Sequence, residues 1–190
     1  MLASRERSFT RAVEDFDRVI ALGRDRLQAL VPGSDLFLVA LVARGEAHSQ
    51  LGEFGRGLAD FNKALALAPN DARAYTARAL LRVRRGESSL AFQDYGRALA
   101  IDPKNPVILS DRAALYASEG HFAKAIADLD AAIETYPDDP ELLYNRGYAW
   151  FWRGNLLKAL ADYDAVLAVA PTMVRALVNR CLTRVTLNTD

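Results

Sequence analysis

A step of 34 residues governs this chain. Asp60, Asp94, Asp128 and Asp162 keep it, as do Gly52, Gly86, Gly120 and Gly154, and Pro69, Pro103, Pro137 and Pro171. Landmarks repeated at one fixed interval mean copies of one supersecondary unit stacked on each other, because a single copy cannot bury its own apolar face. Four units follow, 38–71, 72–105, 106–139 and 140–173, each with two apolar-periodic stretches of about a dozen residues, an ordinary helix length.

Each landmark has a physical task. The four glycines close the first helix of each unit, since glycine enters the left-handed conformation without a Cβ clash and lets the chain reverse tightly. The four prolines end the second helix. Asn105 before Pro106 and Asp139 before Pro140 are cap residues, with a side-chain oxygen for free N–H groups and a proline suited to the first turn. Two antiparallel helices per unit result. Small residues recur where they must approach: Gly45, Ala79, Ala113, Gly147 and Cys181 on first helices, Gly57, Ala91, Ala125 and Ala159 on second helices. Phe61, Tyr95, Leu129 and Tyr163 follow the latter by one turn, so bulk faces space.

Both ends are incomplete units. Phe9, Ala12, Asp15, Phe16 and Val19 match a second helix without its first, and Val174 to Leu187 match a first helix without its second. Between the front half-unit and the array lies an insertion, read as an extension of the first helix to about Leu30, a turn at Pro32-Gly33, and a new start at Ser34 or Asp35. The expected layout is one domain over 1–190, with an N-terminal half-repeat over 1–31 and a C-terminal capping helix over 174–190. The unmatched front helix leaves an apolar face. A longer gene product, a fold-back of the extension, or another copy could cover it.

Arg44, Arg78, Arg112, Arg146 and Arg180 share the period with the aspartates. A ligand-binding arginine stripe is one reading; paired structural charges on packed helices are the better one. Pairing within a unit strands Asp15 and Arg180, whereas pairing each aspartate with the next unit's arginine uses all ten. An inter-repeat ladder from Asp15–Arg44 to Asp162–Arg180 is therefore expected.

The 24 basic and 24 acidic residues balance, which gives no global field for nucleic acid or anionic membrane. Apolar residues at 51% suit a packed core. No apolar run reaches membrane-spanning length, and a single cysteine rules out an internal disulfide framework. Cytoplasmic location is expected, or periplasmic if a leader was removed. Two histidines and one cysteine make neither a nucleophile constellation nor a zinc set. Cys181 stands where other units have glycine or alanine, so it is expected to be small and buried. Arg82 to Arg85 is expected to be a solvated helix end. No enzyme activity, cofactor or metal is expected.

The small residues, the aromatics and the prolines at this period resemble the tetratricopeptide repeat, over all four full units. The resemblance implies an all-α fold, a right-handed α-solenoid of antiparallel helix pairs forming a superhelix. It also implies a concave wall lined by first helices. On that wall the matching positions include Glu46, Thr76, Leu80 and Arg84, then Ser110, then Tyr144, Tyr148, Phe151, Trp152 and Arg175. The third unit's share is small and smooth, and the fourth's is aromatic. Tyr148 and Trp152 are the strongest partner-gripping candidates, since rigid aromatic area suits a peptide or helix. Phe151 and Trp150 are equally readable as packing between repeats, Trp150 the more so. One subclass holds chaperone tails in a lysine and asparagine clamp. The corresponding pairs here are Val42/Glu46, Thr76/Leu80, Ser110/Ala114 and Tyr144/Tyr148, so the resemblance does not extend to that ligand.

The expected function is a non-catalytic protein-interaction module or scaffold, taking a peptide or helix of a partner protein in its concave groove. Two alternatives are a self-assembling scaffold joined through the uncovered N-terminal helix and a docking domain of a larger enzyme. Neither nucleic acid nor membrane insertion is expected.

Overall fold

The repeated glycines, caps and prolines punctuate the chain into short helices, and a computed structural model describes these over residues 2–188, with no strand among the described residues. The helices group into two compact units, Met1–Asp102 and Pro103–Asp190. The first contains α1 (Leu2–Ala21), α2 (Arg24–Leu30), α3 (Leu36–Gln50), α4 (Phe54–Leu67), α5 (Ala72–Arg84) and α6 (Ser88–Ile101). The second contains α7 (Pro106–Ser118), α8 (Phe122–Thr135), α9 (Pro140–Trp152), α10 (Leu156–Val169) and α11 (Val174–Leu187). Pairs α3/α4, α5/α6, α7/α8 and α9/α10 pack along their lengths, joined by turns whose glycines have φ between 73° and 81°. Asn105 and Asp139 accept hydrogen bonds from the first amides of α7 and α9, and Asp35 and Asp71 do the same for α3 and α5.

Packing within a pair follows bulk against space. Phe61, Tyr95, Leu129 and Tyr163 are fully buried. A Cβ added to Gly45 would lie 2.7 Å from the Phe61 ring, and one on Gly147 would lie 2.9 Å from Tyr163. In the first unit Leu27, Phe37, Leu38, Leu41, Ala64, Leu65 and Ala74 share a core. In the second, Leu143, Val166 and Ala176 tie α9, α10 and α11 together.

The charges pair differently from the expected ladder. Each arginine of a full pair forks onto the aspartate of its own helix pair, sixteen residues on: Arg44 donates to Asp60 through Nε (2.8 Å) and Nη2 (2.5 Å). Arg78 with Asp94, Arg112 with Asp128 and Arg146 with Asp162 repeat that geometry. The inter-repeat bond goes to the residue two beyond the aspartate. The remaining Nη1 of Arg44, Arg78, Arg146 and Arg180 donates to Asp17, Asn62, Asp130 and Asp164 of the preceding pair. The antiparallel hairpin decides this, because folding one helix back along the other brings the arginine at the middle of the first opposite the aspartate at the middle of the second. All four aspartates are buried, so the structural reading of the pairs stands while their partners change. Asp15 is left with an exposed pair to Arg18.

The front end also departs from expectation. The first helix does not run on to Leu30 but breaks at Leu22-Gly23, where Gly23 has φ 81°, and α2 turns back to bury Leu27 against α3. Arg24 and Asp35, 2.5 Å apart, close this turn. Gly33 takes the other left-handed position, at φ 86°, as the Pro32-Gly33 turn requires.

Two stability tests follow from the hairpin geometry. Asp94→Ala, which strips the partner from both Arg78 and Arg82, is expected to cost about 3 kcal/mol, whereas Asp130→Ala, on a solvent-open arm, costs less than about 1 kcal/mol. Equal effects in urea unfolding would contradict the buried fork. Gly57→Ala puts a Cβ 2.7 Å from Leu81 Cδ1 and 2.9 Å from the Gly45 carbonyl oxygen, while Gly55 has nothing within 4 Å. Gly57→Ala is expected to destabilise by about 1–3 kcal/mol through overpacking, and Gly55→Ala to stabilise by up to about 1 kcal/mol through helix propensity.

Candidate functional site

First helices carry the residues that vary between copies, and in the second unit α9 carries the most unusual set. Its turns place Tyr144, Tyr148, Phe151 and Trp152 on neighbouring positions of one side. Tyr148 and Trp152 are exposed, with ring centroids 6.1 Å apart in edge contact. Phe151 is half-buried and meets Trp152 edge-on at 5.8 Å. Phe122, from the start of α8, lies parallel to the Trp152 ring at 6.4 Å. The sequence reading missed Phe122, because it stands on a second helix, outside the wall positions. A period of 34 does not reveal that the preceding turn delivers it there.

Beside Tyr148 opens a shallow cleft of about 230 Å³, floored by Ala113, Ala114, Ala117 and Leu129 and edged by Ser118 and Asn145. Such a volume lies below the usual range for a small-molecule site. It suits a single apolar side chain. The alanines of α7 make the space, and the aromatic edge of α9 makes the wall.

Tyr144 and Arg175 are engaged with each other. The Arg175 guanidinium lies over the Tyr144 ring, 4.5 Å from its centroid, and ion-pairs with Glu141. The Tyr144 hydroxyl accepts a hydrogen bond from Asn179 at 3.0 Å. This corner is therefore a charge-neutral, preassembled rim. Trp150 faces away, half-buried beneath Lys158 Nζ at 4.3 Å, in packing with the start of α10. Ser110 belongs to a different depression, with Val107, Asp111, Tyr136 and Glu141.

In the first unit Glu46, Leu80 and Arg84 come together. They line a cleft of about 400 Å³ with Phe9, Ala12 and Phe16 of α1 and with Ala43, Ala47 and Gln50 of α3. Arg84 reaches the Ser49 carbonyl at 3.3 Å, and desolvation in the cleft raises the Glu46 carboxyl above its ordinary value. Thr76 does not join them. Its hydroxyl donates to the Ala72 carbonyl one turn back, at 2.8 Å.

Two smaller readings change. Arg82 is no solvated helix end: it donates to Asp94 at 2.7 Å and to the Leu90 carbonyl at 3.2 Å. It stands where Tyr116 and Trp150 stand in later pairs, and the buried carboxylate gives its charge a counterpart. Cys181 is exposed rather than buried, because no second helix covers that face of α11 among the described residues. Buried His48 pairs through Nδ1 with Glu53 Oε2 at 2.6 Å, bridging the α3/α4 turn. Among the described residues no three His, Cys, Asp or Glu side chains converge to hold a metal ion, and no helix is long and apolar enough to cross a membrane.

The sequence matches the family model described as tetratricopeptide repeat over residues 42–106 and 111–174. No curated protein sequence matches. Among solved structures, PilF of Pseudomonas aeruginosa is similar with a TM-score of 0.73 at 20% identity, over 80% of this chain and 69% of that one. A tetratricopeptide repeat protein from Parabacteroides merdae gives 0.72 at 18% identity, over 96% of this chain and 74% of that one. The first such domain of Spaghetti (RPAP3), bound to the HSP90 peptide SRMEEVD, gives 0.59 at 26% identity, over 62% of this chain and 93% of that one.

One titratable group near these surfaces has a measurable consequence. Burial pushes the Asp111 carboxyl up from 3.8 to about 6. The folded chain therefore keeps a proton that the unfolded chain releases, and stability falls as pH rises through that window. Asp111→Asn is expected to stabilise the fold by about 1 kcal/mol at neutral pH, a figure discounted for partial exposure, and to change nothing in acid below the ordinary carboxylate range. Urea unfolding at the two pH values checks this; an equal gain at both would contradict it.

Proposed function

The chain belongs to the tetratricopeptide repeat family, and from that premise we propose that it is a non-catalytic protein-interaction scaffold whose second unit grips a peptide or helix of a partner protein on α9. Repeat arrays of this kind serve as protein-binding surfaces because each pair adds a rigid first helix to a wall. The observation that carries the proposal is the exposed pair Tyr148 and Trp152, held by Phe151 and Phe122 beside the small cleft on α7. Rings fixed by neighbouring rings lose little freedom on binding, so their area converts well into affinity.

The partner chemistry follows from the lining. An apolar side chain, aliphatic or aromatic, enters the cleft over Ala113 and Ala117, and the rest of its segment lies along Tyr148 and Trp152. The Arg175–Glu141 pair adds no net charge at that rim, so the preferred segment is apolar at its centre rather than acidic. That differs from the acidic peptide named for the Spaghetti domain, in keeping with Tyr144 and Tyr148 standing where a clamp would need lysine and asparagine. Selection of binders from a displayed library of helical and extended peptides tests the proposal. The double variant Tyr148→Ala with Trp152→Ala is expected to weaken the selected peptides by about thirtyfold or more, the loss of a hot-spot pair, with helicity unchanged by circular dichroism. Peptides that bind wild type and double variant equally would refute it.

A further inference from the structure

The four full helix pairs share a buried arginine fork, and each end of the chain carries one half of another. Arg180 on α11 fills its Nη1 position with Asp164, as the arginines of other pairs do with their preceding neighbours. Its Nε and Nη2, the atoms that grip an aspartate in every full pair, have no partner among the described residues. Asp15 on α1 stands at the equivalent of Asp60, Asp94, Asp128 and Asp162, all buried, yet its side chain is 72% exposed. One end offers the donors and the other the acceptor.

The apolar positions around them are complementary in the same register. Leu177 is 39% exposed, where the matching Leu41, Leu109 and Leu143 are buried. Cys181 is exposed where Gly45, Ala79, Ala113 and Gly147 are buried. On α1, Ala12 and Phe16 stand at the positions of Gly57 and Phe61 but are only half-buried, and they face the cleft shared with α3. That cleft occupies the place of a first helix preceding α3. The charges at the contact itself agree: Arg180 and Arg184 stand on α11, which carries no acid, and Glu14 and Asp15 stand on α1, where Arg11 and Arg18 flank them.

We propose that α11 of one copy docks into the α1/α3 cleft of a second copy, completing a helix pair in trans with Arg180 forked onto Asp15 and Cys181 packed against Ala12 and Phe16. The contact is heterologous, so it joins copies head to tail. It is independent of the aromatic surface on α9, and the Tyr148→Ala, Trp152→Ala variant assembles like wild type.

Sedimentation equilibrium of the full chain at increasing concentration tests this. Wild type is expected to gain mass with concentration. Asp15→Arg and Arg180→Asp each weaken association by about thirtyfold or more, as expected for breaking a desolvated charge pair, and the doubly reversed chain recovers it. A second readout uses the lone native thiol: Ala12→Cys, oxidised with diamide, should form disulfide-linked oligomers through Cys181 of the neighbouring copy, whereas wild type and Ala12→Cys with Cys181→Ser should not show that ladder. A chain that stays monomeric throughout overturns the proposal. So does association indifferent to both charge reversals, or a crosslinked species that never exceeds one chain.

Discussion

A carboxylate can be buried in a small helical protein only if its oxygens are satisfied, and the two-pronged guanidinium of an arginine sixteen residues earlier does this in every full helix pair. The fork fixes the register of the two helices, because sliding one against the other by a turn would leave both charges desolvated and unpaired. With register fixed, Gly45 meets Phe61 and Gly147 meets Tyr163, and the short left-handed turns can close without strain. The third nitrogen then reaches back to the preceding pair, through Asp17, Asn62, Asp130 or Asp164. A single side chain thus orders its own hairpin and places it on its neighbour.

Because these repeated contacts occupy one face of each first helix, its remaining positions are free to differ. The α7 helix presents alanines and α9 presents aromatic rings, and the combination gives a cleft with a wall. The same division explains the rim at Arg175. A cation over Tyr144 and against Glu141 is part of the scaffold's polar packing, so the exposed surface beside it is made of ring area and space rather than of free charge.

The ends follow from the same rule applied to incomplete pairs. Where a pair lacks its mate, the buried positions become exposed ones: Cys181 and Leu177 on α11, Phe16 and Ala12 half-open on α1. The short α2 covers the region around Leu27 and Leu38 but not the cleft at Phe9 and Phe16. An array of stacked pairs depends on neighbours for burial, and its terminal faces carry that dependence outward.

The sequence by itself determined the all-helical pairing, the glycine turns, the caps at Asn105 and Asp139 and the small-against-large packing, since each rests on local conformation or on a period visible in one dimension. Tertiary structure alone decided which charges meet. Asp60 lies sixteen residues after Arg44 and eighteen before Arg78, and both relations repeat with the same period, so spacing could not choose between them; the antiparallel hairpin does. It also decided that the front helix breaks at Gly23, where burial of Leu27 rewards a reversal over continuation. Phe122 joins Trp152, and Arg82 finds Asp94, for a like reason: contacts between residues on different helices depend on how the helices cross, which no single-helix periodicity encodes.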